Sequence, residues 1–470
     1  MTDIHLLVLI HGMWGNPTHL AHMDKIIREV KGSDENTVSD GPELAVLVAK
    51  TNSDESTYDG IDWGGERVAQ EILEEIQQYE NQGKKVTRFS VTGYSLGGLL
   101  ARYVIGYVLP VCCCALTWSP FFRILHQNKF FEKVTPVNFN TIATPHVGIP
   151  RFPSVFSTIA HYIGPRFLSR TGEQFFCVDK WSAKGRPLLD VLADPDTDHV
   201  FYQTLLLFPN IRVYANAIND LTVPYVTAAI EEDDLFAEYE KNGLEIEFHD
   251  QYKHVVKSYA IPSSPPPPRE REKTSLVTRI RNLRPPVPPV LQGVFPLNLL
   301  VYALLPILIP TFISLALVRL SIASHNSRTR LKALEVDESN YERLSRIIAK
   351  LESNVESVVL DMYDSQGTTS SPSPLPSEDP IGSIVIQQDS EVVDDSPDSQ
   401  PSPTHAILLS PVQRRCIQNL NKIPQLQKER AFFVDVLNSH AMIVCRDVKR
   451  FKLHLEGEGV LRHWADHFEL

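Results

Sequence analysis

Residues 93–98 read GYSLGG, and they follow the apolar run RFSVT and precede LLARYVIGYV. It contains the pattern G-x-S-x-G, in which a tight strand-to-helix turn holds the serine in a strained backbone conformation. Such a serine exposes its Oγ at a helix N-terminus, where partial positive charge favours a developing oxyanion. The same pattern also occurs in turns that only connect two elements. The flanking strand and helix patterns favour Ser95 as a candidate nucleophile.

Short apolar runs on either side of this turn indicate a sheet. Five of them are IHLLVLI at 4–10, LAVLVA at 44–49, VTRFSVT at 86–92, PVNFNTIA at 136–143 and IRVYANAI at 211–218. Helical patterns such as GERVAQEILEEIQQYE at 65–80 separate them, and a last run, RAFFVDVL at 430–437, lies far downstream. Apolar strands that alternate with helices predict a mostly parallel sheet in an α/β fold.

A long insert precedes the last predicted strand, and it is longer than any ordinary connection in a compact domain. Composition divides the chain into an N-terminal core at 1–260, a Pro/Arg-rich linker at 261–289, a hydrophobic membrane-associating segment at 290–322, an amphipathic helical segment at 323–364, an acidic Ser/Pro-rich linker at 365–405 and a C-terminal core at 406–470. We predict that the acidic linker is disordered, because it has too little apolar surface to bury.

The charge and cysteine content bound the class of protein. The chain has a net charge of −12, but eleven acidic residues and no Lys or Arg fall in 352–398, so the acidity belongs to the insert. Nothing in the sequence suggests nucleic-acid binding. Six cysteines, with Cys112–Cys114 consecutive, do not form a disulfide framework, which favours a reducing compartment. The Cys112–Cys114 triple fits core packing better than S-acylation.

A nucleophilic serine needs an acid and a histidine, which follow it in that order in α/β-hydrolases. Asp220 comes just after the fifth apolar run, although an Asx-turn or helix cap would also explain it. His440 follows the last run, as a catalytic base should. His249 and His254 are the alternatives, and they lie between the acid and the insert.

The backbone donors of an oxyanion hole are expected after an early strand. HGMWG at 11–15 follows the first run, so the N–H groups of Met13 and Leu96 are the candidate donors, unless His-Gly is only a turn. His146, in ATPH at 143–146, precedes the acid, and we expect it to have a structural role. We expect neither a cofactor nor a metal site.

Seven stretches resemble a known family: VLIHGMWGNPTHL, TYDGIDWGGERVAQEI, VTGYSLGGLLARYVIG, NTIATPHVGI, NDLTVPY, LNSHAMIVCRD and LRHWADHF. They lie in 4–230 and 406–470 and are similar to the fungal putative serine-esterase/lipase family that includes lipid-droplet phospholipases. The resemblance implies an α/β-hydrolase that acts on acyl esters of glycerolipids or phospholipids. It also implies that Ser95, Asp220 and His440 are the family's serine, acid and histidine.

Residues 285–318 carry no charge, which is typical of a segment that associates with a membrane or a lipid droplet. Pro296, Pro306 and Pro310 interrupt the pattern, and arginines flank both ends, so a hairpin or re-entrant segment is expected. A single crossing would separate Ser95 from His440. A hydrophobic lid is the alternative. We expect the protein on the cytosolic face of the endoplasmic reticulum or on a lipid droplet.

The sequence therefore predicts a membrane- or droplet-associated serine hydrolase of glycerolipid acyl esters that works through an acyl-enzyme. Two other functions remain open. One is a catalytically silent hydrolase fold that serves as a membrane tether. The other is an acyltransferase that uses the same three residues.

Overall fold

The computed structural model describes residues 2–32, 41–107, 130–182, 184–196, 200–262, 297–336 and 407–470. Nearly all of the predicted linker at 261–289, the whole of 365–405 and most of the predicted helical segment at 323–364 lie outside these ranges. The Cys112–Cys114 triple also lies outside them.

A six-stranded parallel sheet forms the centre of the molecule. Its strands are β1 (Thr2–Ile10), β2 (Glu43–Val48), β3 (Lys84–Tyr94), β4 (Thr135–Ile142), β5 (Asn210–Asn216) and β8 (Leu426–Ala431). Their order across the sheet is β2-β1-β3-β4-β5-β8, and every neighbouring pair is parallel. The last strand therefore pairs with β5 although the long insert separates them in sequence, as the predicted α/β-hydrolase fold requires.

Helices cover both faces of the sheet. They are α1 (Ala21–Lys31), α2 (Ile61–Asn81), α3 (Leu96–Tyr107), α4 (Phe130–Lys133), α5 (Val155–Phe167), α6 (Ser169–Phe175), α7 (Leu188–Leu192), α8 (Val200–Leu205), α9 (Tyr225–Ala229), α10 (Tyr239–Asn242), α11 (Leu297–Val336), α12 (Pro411–Leu420) and α13 (Glu458–Asp466), with 3₁₀ helices at Pro17–Leu20, Asp54–Tyr58 and Lys452–Gly457. Alternate residues of β1 pack against α2 and α3 on one face and against α1 and α13 on the other. This burial on both faces explains the continuous apolar runs.

The position of the last strand corrects the prediction at 430–437. β8 begins at Leu426 and ends at Ala431, and it contains Lys428, Glu429 and Arg430. It is an edge strand, and its charged side chains form ion pairs. Glu429, for example, pairs with Arg212 of β5. The aromatic run that suggested a strand packs in the core just after β8. Apolar content therefore identified the buried connection and missed the polar edge.

A two-stranded antiparallel sheet, which the sequence analysis did not predict, follows β5. It consists of β6 (Glu245–Phe248) and β7 (Val256–Ala260). Tyr259 of β7 packs beside the core cluster that contains Phe236 and Phe432, next to the end of β8. This small sheet therefore packs beside the edge of the main sheet.

The hydrophobic segment forms one helix where we expected interruptions. Helix α11 runs from Leu297 to Val336 through Pro306 and Pro310 without a break, so the described part of the segment contains no hairpin turn. Proline costs one backbone hydrogen bond but is tolerated in long apolar helices. The stretch Pro306–Ala333 is long and apolar enough to cross a membrane by length and composition.

The two halves of α11 have different surroundings. In the half at 297–318, the described side chains are mostly exposed, among them Phe312 and Ile313. In the half at 319–336, which we call the docked half, Ala323, Ser327 and Leu331 are buried. The docked half contacts α5, α6 and the 3₁₀ helix Asp54–Tyr58. This arrangement leaves an apolar surface on the described part of 297–318 without cover.

Candidate active site

Ser95 lies in the turn between β3 and α3 and has the strained backbone that the G-x-S-x-G pattern predicts. Its φ is 54°, in the left-handed region that residues with a side chain rarely adopt. Its N–H donates to the Ile142 carbonyl at 2.8 Å, which ties the turn to β4. A Cβ at Gly97 would lie 2.1 Å from the Ile10 carbonyl oxygen, so only glycine fits there. The chain around Ser95 is therefore held from both sides.

His440 lies beside this serine. Its Nε2 is 3.0 Å from Ser95 Oγ, and the ring is almost fully buried. Tyr94 supports it in two ways: the hydroxyl donates to the His440 carbonyl at 2.9 Å, and the two rings lie 5.1 Å apart. The backbone N–H of His440 donates to Asn438 Oδ1 at 3.2 Å. These contacts fix the imidazole above the end of β3.

Asp220 makes both kinds of contact that its sequence position suggested, those of a local turn and those of an acid beside the histidine. Its Oδ1 accepts the N–H groups of Thr222 and Val223 at 2.9 and 2.8 Å, which is the expected turn. Its Oδ2 lies 2.9 Å from His440 Nδ1 and accepts a hydrogen bond from Asn216 Nδ2 at 2.8 Å. The local turn therefore aims the second carboxylate oxygen at the imidazole.

The charge on Asp220 decides which way these hydrogen bonds run. Burial works against ionisation, but the neighbouring His440 and the hydrogen bonds from His440, Val223 and Asn216 outweigh it and lower the pKa of Asp220. The ionised carboxylate only accepts, so His440 Nδ1 carries a proton. Nε2 is then an acceptor for the Ser95 hydroxyl. Ser95, His440 and Asp220 thus form one directed chain of hydrogen bonds.

The turn Gly12–Gly15, which contains the first candidate oxyanion donor, passes against Ser95. A Cβ at Gly12 would lie 2.7 Å from Ser95 Cβ, so the absence of a side chain allows this approach. Gly15 N–H donates to the Gly12 carbonyl at 3.1 Å and closes the turn. Met13 lies inside the turn, and Leu96 is the first residue of α3. The first N–H groups of a helix have no partner within it, which leaves Leu96 N–H available to a ligand.

Exposed apolar side chains flank the three polar residues. Trp14, Leu221, Val434 and Leu437 are each more than half exposed, and Leu437 reaches 87%. Leu221 follows Asp220, and its N–H donates to Asn438, two residues before His440. The rim of the site is therefore apolar at several points on its circumference.

The alternative histidines lie elsewhere. His254 Nε2 is 2.8 Å from Glu456, and the His249 ring lies against His463, so neither contacts Ser95. His146 is buried, with Nε2 at 2.9 Å from Thr141 Oγ1. Burial and the nearby Arg102 and Lys428 lower its pKa well below the ordinary value. His146 therefore stays neutral inside the protein, consistent with a structural role.

The sequence analysis missed three residues that support the site. They are Tyr94, Asn216 and Asn438. Tyr94 is inside the G-x-S-x-G pattern, and the two asparagines lie within four residues of Asp220 and His440, so proximity in sequence was the available signal. In the described ranges, no group of three or more His, Cys, Asp or Glu side chains is arranged to hold a metal ion.

Comparison with known proteins finds similarity over about half of the chain. Residues 1–231 match the family described as putative serine esterase (DUF676). The putative lipase C4A8.10 of Schizosaccharomyces pombe is 30% identical over 241 residues, which cover 51% of this chain and 28% of that protein. The putative lipase ROG1 of Saccharomyces cerevisiae is 29% identical over 237 residues, which cover 50% and 29%. The match thus spans less than a third of each relative's length.

One solved structure shows a distant likeness. An extracellular alpha/beta-hydrolase from a Paenibacillus species is 12% identical, with 34% of this chain and 50% of that chain covered and a TM-score of 0.20.

Proposed function

We propose that this chain, whose residues 1–231 match the putative serine esterase family (DUF676), hydrolyses acyl esters of glycerolipids at a lipid surface. The residues that carry the proposed reaction are Ser95, His440 and Asp220. The observation that supports it most is that His440 makes hydrogen-bond contacts with Ser95 Oγ at 3.0 Å and with Asp220 at 2.9 Å. A nucleophile, a base and an orienting acid in that arrangement suit acyl transfer.

The proposed reaction proceeds through an acyl-enzyme. His440 Nε2 takes the proton from Ser95 as Oγ bonds to the ester carbonyl carbon, and the carbonyl electrons move to its oxygen. The N–H groups of Met13 and Leu96 would stabilise that oxyanion. Collapse breaks the bond to the alcohol, which leaves with the proton from His440. Water then attacks the acyl-enzyme, gives a proton to His440 and releases the fatty acid, and Ser95 recovers its proton.

Two features support a lipid as the substrate. The apolar rim of the site exposes Leu221, Val434 and Leu437, which suits contact with the acyl chains of a lipid better than contact with a small water-soluble ester. Residues 297–318 of α11 are uncharged, and their described side chains are mostly exposed and apolar, so this surface suits contact with hydrocarbon. We propose that this part of α11 inserts into the lipid on which the substrate lies.

The contact between Ser95 and His440 constrains how that insertion occurs. Residues before and after the insert form one folded unit, so both must lie on the same side of the membrane or droplet. Helix α11 then enters the lipid from that side, with its docked half remaining on the protein. The cytosolic face of the endoplasmic reticulum or a lipid droplet is the proposed location, which the flanking arginines favour.

Labelling with a fluorophosphonate probe tests the proposed chemistry directly. We expect the wild-type chain to react and to hydrolyse a fluorogenic butyrate ester, whereas Ser95→Ala loses both activities and retains its thermal unfolding midpoint. Phospholipid vesicles then test the substrate class by release of free fatty acid. A folded wild-type chain that never reacts with the probe would instead favour a silent tether, and transfer of the acyl group to an added alcohol would favour an acyltransferase.

A further inference from the structure

The 3₁₀ helix Asp54–Tyr58 lies between the turn Gly12–Gly15 and the docked half of α11. On the side of the turn, three hydrogen bonds join the two elements. Asp54 N–H donates to the Gly15 carbonyl at 2.8 Å, Trp14 N–H donates to Thr57 Oγ1 at 3.2 Å, and Trp14 Nε1–H donates to the Tyr58 hydroxyl at 2.7 Å. The position of this turn therefore depends on the 3₁₀ helix.

The turn needs such support because of its backbone conformation. Trp14 has a φ of 55°, in the left-handed region that a bulky residue rarely adopts. Strained conformations persist only where surrounding contacts impose them. Half of the Trp14 side chain is exposed, so core packing contributes little, and both of its N–H groups donate to the 3₁₀ helix.

On its other side, the 3₁₀ helix is held by α11 through Asp59, the residue at its C-terminal end. The Asp59 carboxylate is almost fully buried and accepts hydrogen bonds from Ser327 Oγ at 2.7 Å and from Arg330 at 2.9 Å. Arg330 also donates to the Glu55 carbonyl at 2.9 Å. Arg67 of α2 forms a further ion pair with Asp59 at 2.9 Å. Ser327 and Arg330 of α11 therefore both contact the C-terminal end of the 3₁₀ helix, and Arg330 also contacts Glu55 near its start.

We propose that Ser327 and Arg330 are positioning residues for the oxyanion hole, acting through Asp59 and Tyr58 on the turn that contains Met13. This inference rests on the proposed esterase function. It assigns the docked half of α11 a part in acyl transfer, while the half at 297–318 meets the lipid. One helix then both attaches the protein to the lipid and supports the Met13 N–H. The turn that contains Met13 is therefore best ordered when the docked half of α11 packs on the core.

The test compares Arg330→Met and Ser327→Ala with Arg328→Met as a matched control. Arg328 lies on the same helix and makes an exposed contact with Glu173 at 3.6 Å, away from Asp59. With a soluble fluorogenic butyrate ester, we expect Arg330→Met to lower kcat by about 10- to 100-fold with KM changed less than twofold, since a lost oxyanion donor costs about 10²- to 10³-fold. Arg328→Met should retain the wild-type kcat.

Three further measurements separate positioning from a general loss of structure. Hydrogen exchange of the peptide around residues 11–15 should accelerate in Ser327→Ala and not in Arg328→Met. Tyr58→Phe, which removes the hydroxyl that accepts from Trp14, should lower kcat, and its effect should overlap with that of Arg330→Met in the double variant. Arg330→Lys, which keeps a charge for Asp59, should recover part of the activity.

The outcomes also distinguish this inference from the proposed function. An active wild-type chain whose Arg330→Met and Ser327→Ala variants keep kcat and the exchange rate at residues 11–15 would overturn the positioning role alone. An equal loss of kcat in Arg328→Met would overturn it as well. A folded wild-type chain with no esterase activity would overturn both.

Discussion

His440 lies 345 positions after Ser95 in the chain, yet its Nε2 is 3.0 Å from Ser95 Oγ. The sheet makes this possible, because β8 pairs with β5 and returns the chain to the edge at which β3 ends. Ser439, next to His440, donates its N–H to the Asn219 carbonyl at 2.8 Å, one residue before Asp220. The loop with the histidine and the loop with the acid are thus joined by their backbones.

His440→Ala should be nearly as damaging as Ser95→Ala, because a serine without its base is a weak nucleophile. We expect kcat for the soluble ester to fall by about 10⁴-fold or more. His254→Ala is the matched control, since His254 was the alternative base and pairs with Glu456 away from Ser95. A comparable loss of kcat in His254→Ala would contradict the assignment.

Asp220→Asn and Asp220→Ala should separate the two functions of this side chain. Asn retains an oxygen for the N–H groups of Thr222 and Val223, so it should keep the fold but lower kcat by about 10³- to 10⁴-fold. Ala loses the turn as well and should also lower the thermal unfolding midpoint. Equal unfolding midpoints for the two variants would show that the turn does not need the side chain.

The stability of the protein should decrease as the pH falls below about 6.5, partly because of His463. Burial, together with the neighbouring His467, Arg212 and His249, lowers the pKa of His463 to about 3. Below pH 6.5 the unfolded chain binds a proton at this residue and the folded chain does not, so the free energy of unfolding falls by up to about 1.4 kcal/mol per pH unit.

Urea unfolding at pH 6.0 and 5.0 measures this effect, with His463→Gln as the comparison. Gln does not titrate and still offers the Tyr214 hydroxyl a partner, which His463 Nδ1 now provides at 3.0 Å. The variant should lose about 1 kcal/mol less than the wild type between these two pH values. Identical pH dependence would mean that His463 titrates normally in the folded state.

Phe312→Asp should weaken binding to lipid vesicles, because Phe312 is 74% exposed in the apolar half of α11. A charge within the hydrocarbon region costs about 2.5–3.5 kcal/mol, so we expect the bound fraction in vesicle flotation to decrease at least about tenfold. Phe451→Asp, at an exposed site outside α11, is the control and should bind as the wild type does. Unchanged binding of Phe312→Asp would remove α11 as the lipid contact.

Tags at residues 1 and 470 should both be accessible to protease on intact microsomes. The contact of Ser95 with His440 places residues on either side of the insert in one folded unit, so they share one face of the membrane. Protection of only one tag would be incompatible with that unit in the membrane-bound protein.

The sequence was sufficient for those features that depend on local pattern. Interior strands of a parallel sheet are buried on both faces, so β1, β3 and β4 appear as continuous apolar runs and were predicted within a few residues. The turn at Ser95 has a local cause too, because glycines at fixed spacing allow close backbone approach. Motif and chain order were enough to select Ser95, Asp220 and His440 as candidates.

Other features were decided only by tertiary contacts. The edge strand β8 is polar, and no apolar run marks it in the sequence. Its charged side chains form ion pairs with Arg212 of β5 and with Glu231, which is distant in the chain. Helix α11 continues through Pro306 and Pro310, and its docking depends on Asp59, more than two hundred residues earlier in the chain. Local propensity reflects interactions between residues that are close in sequence. These contacts join distant segments, so they contribute to stability only once the sheet has brought those segments together.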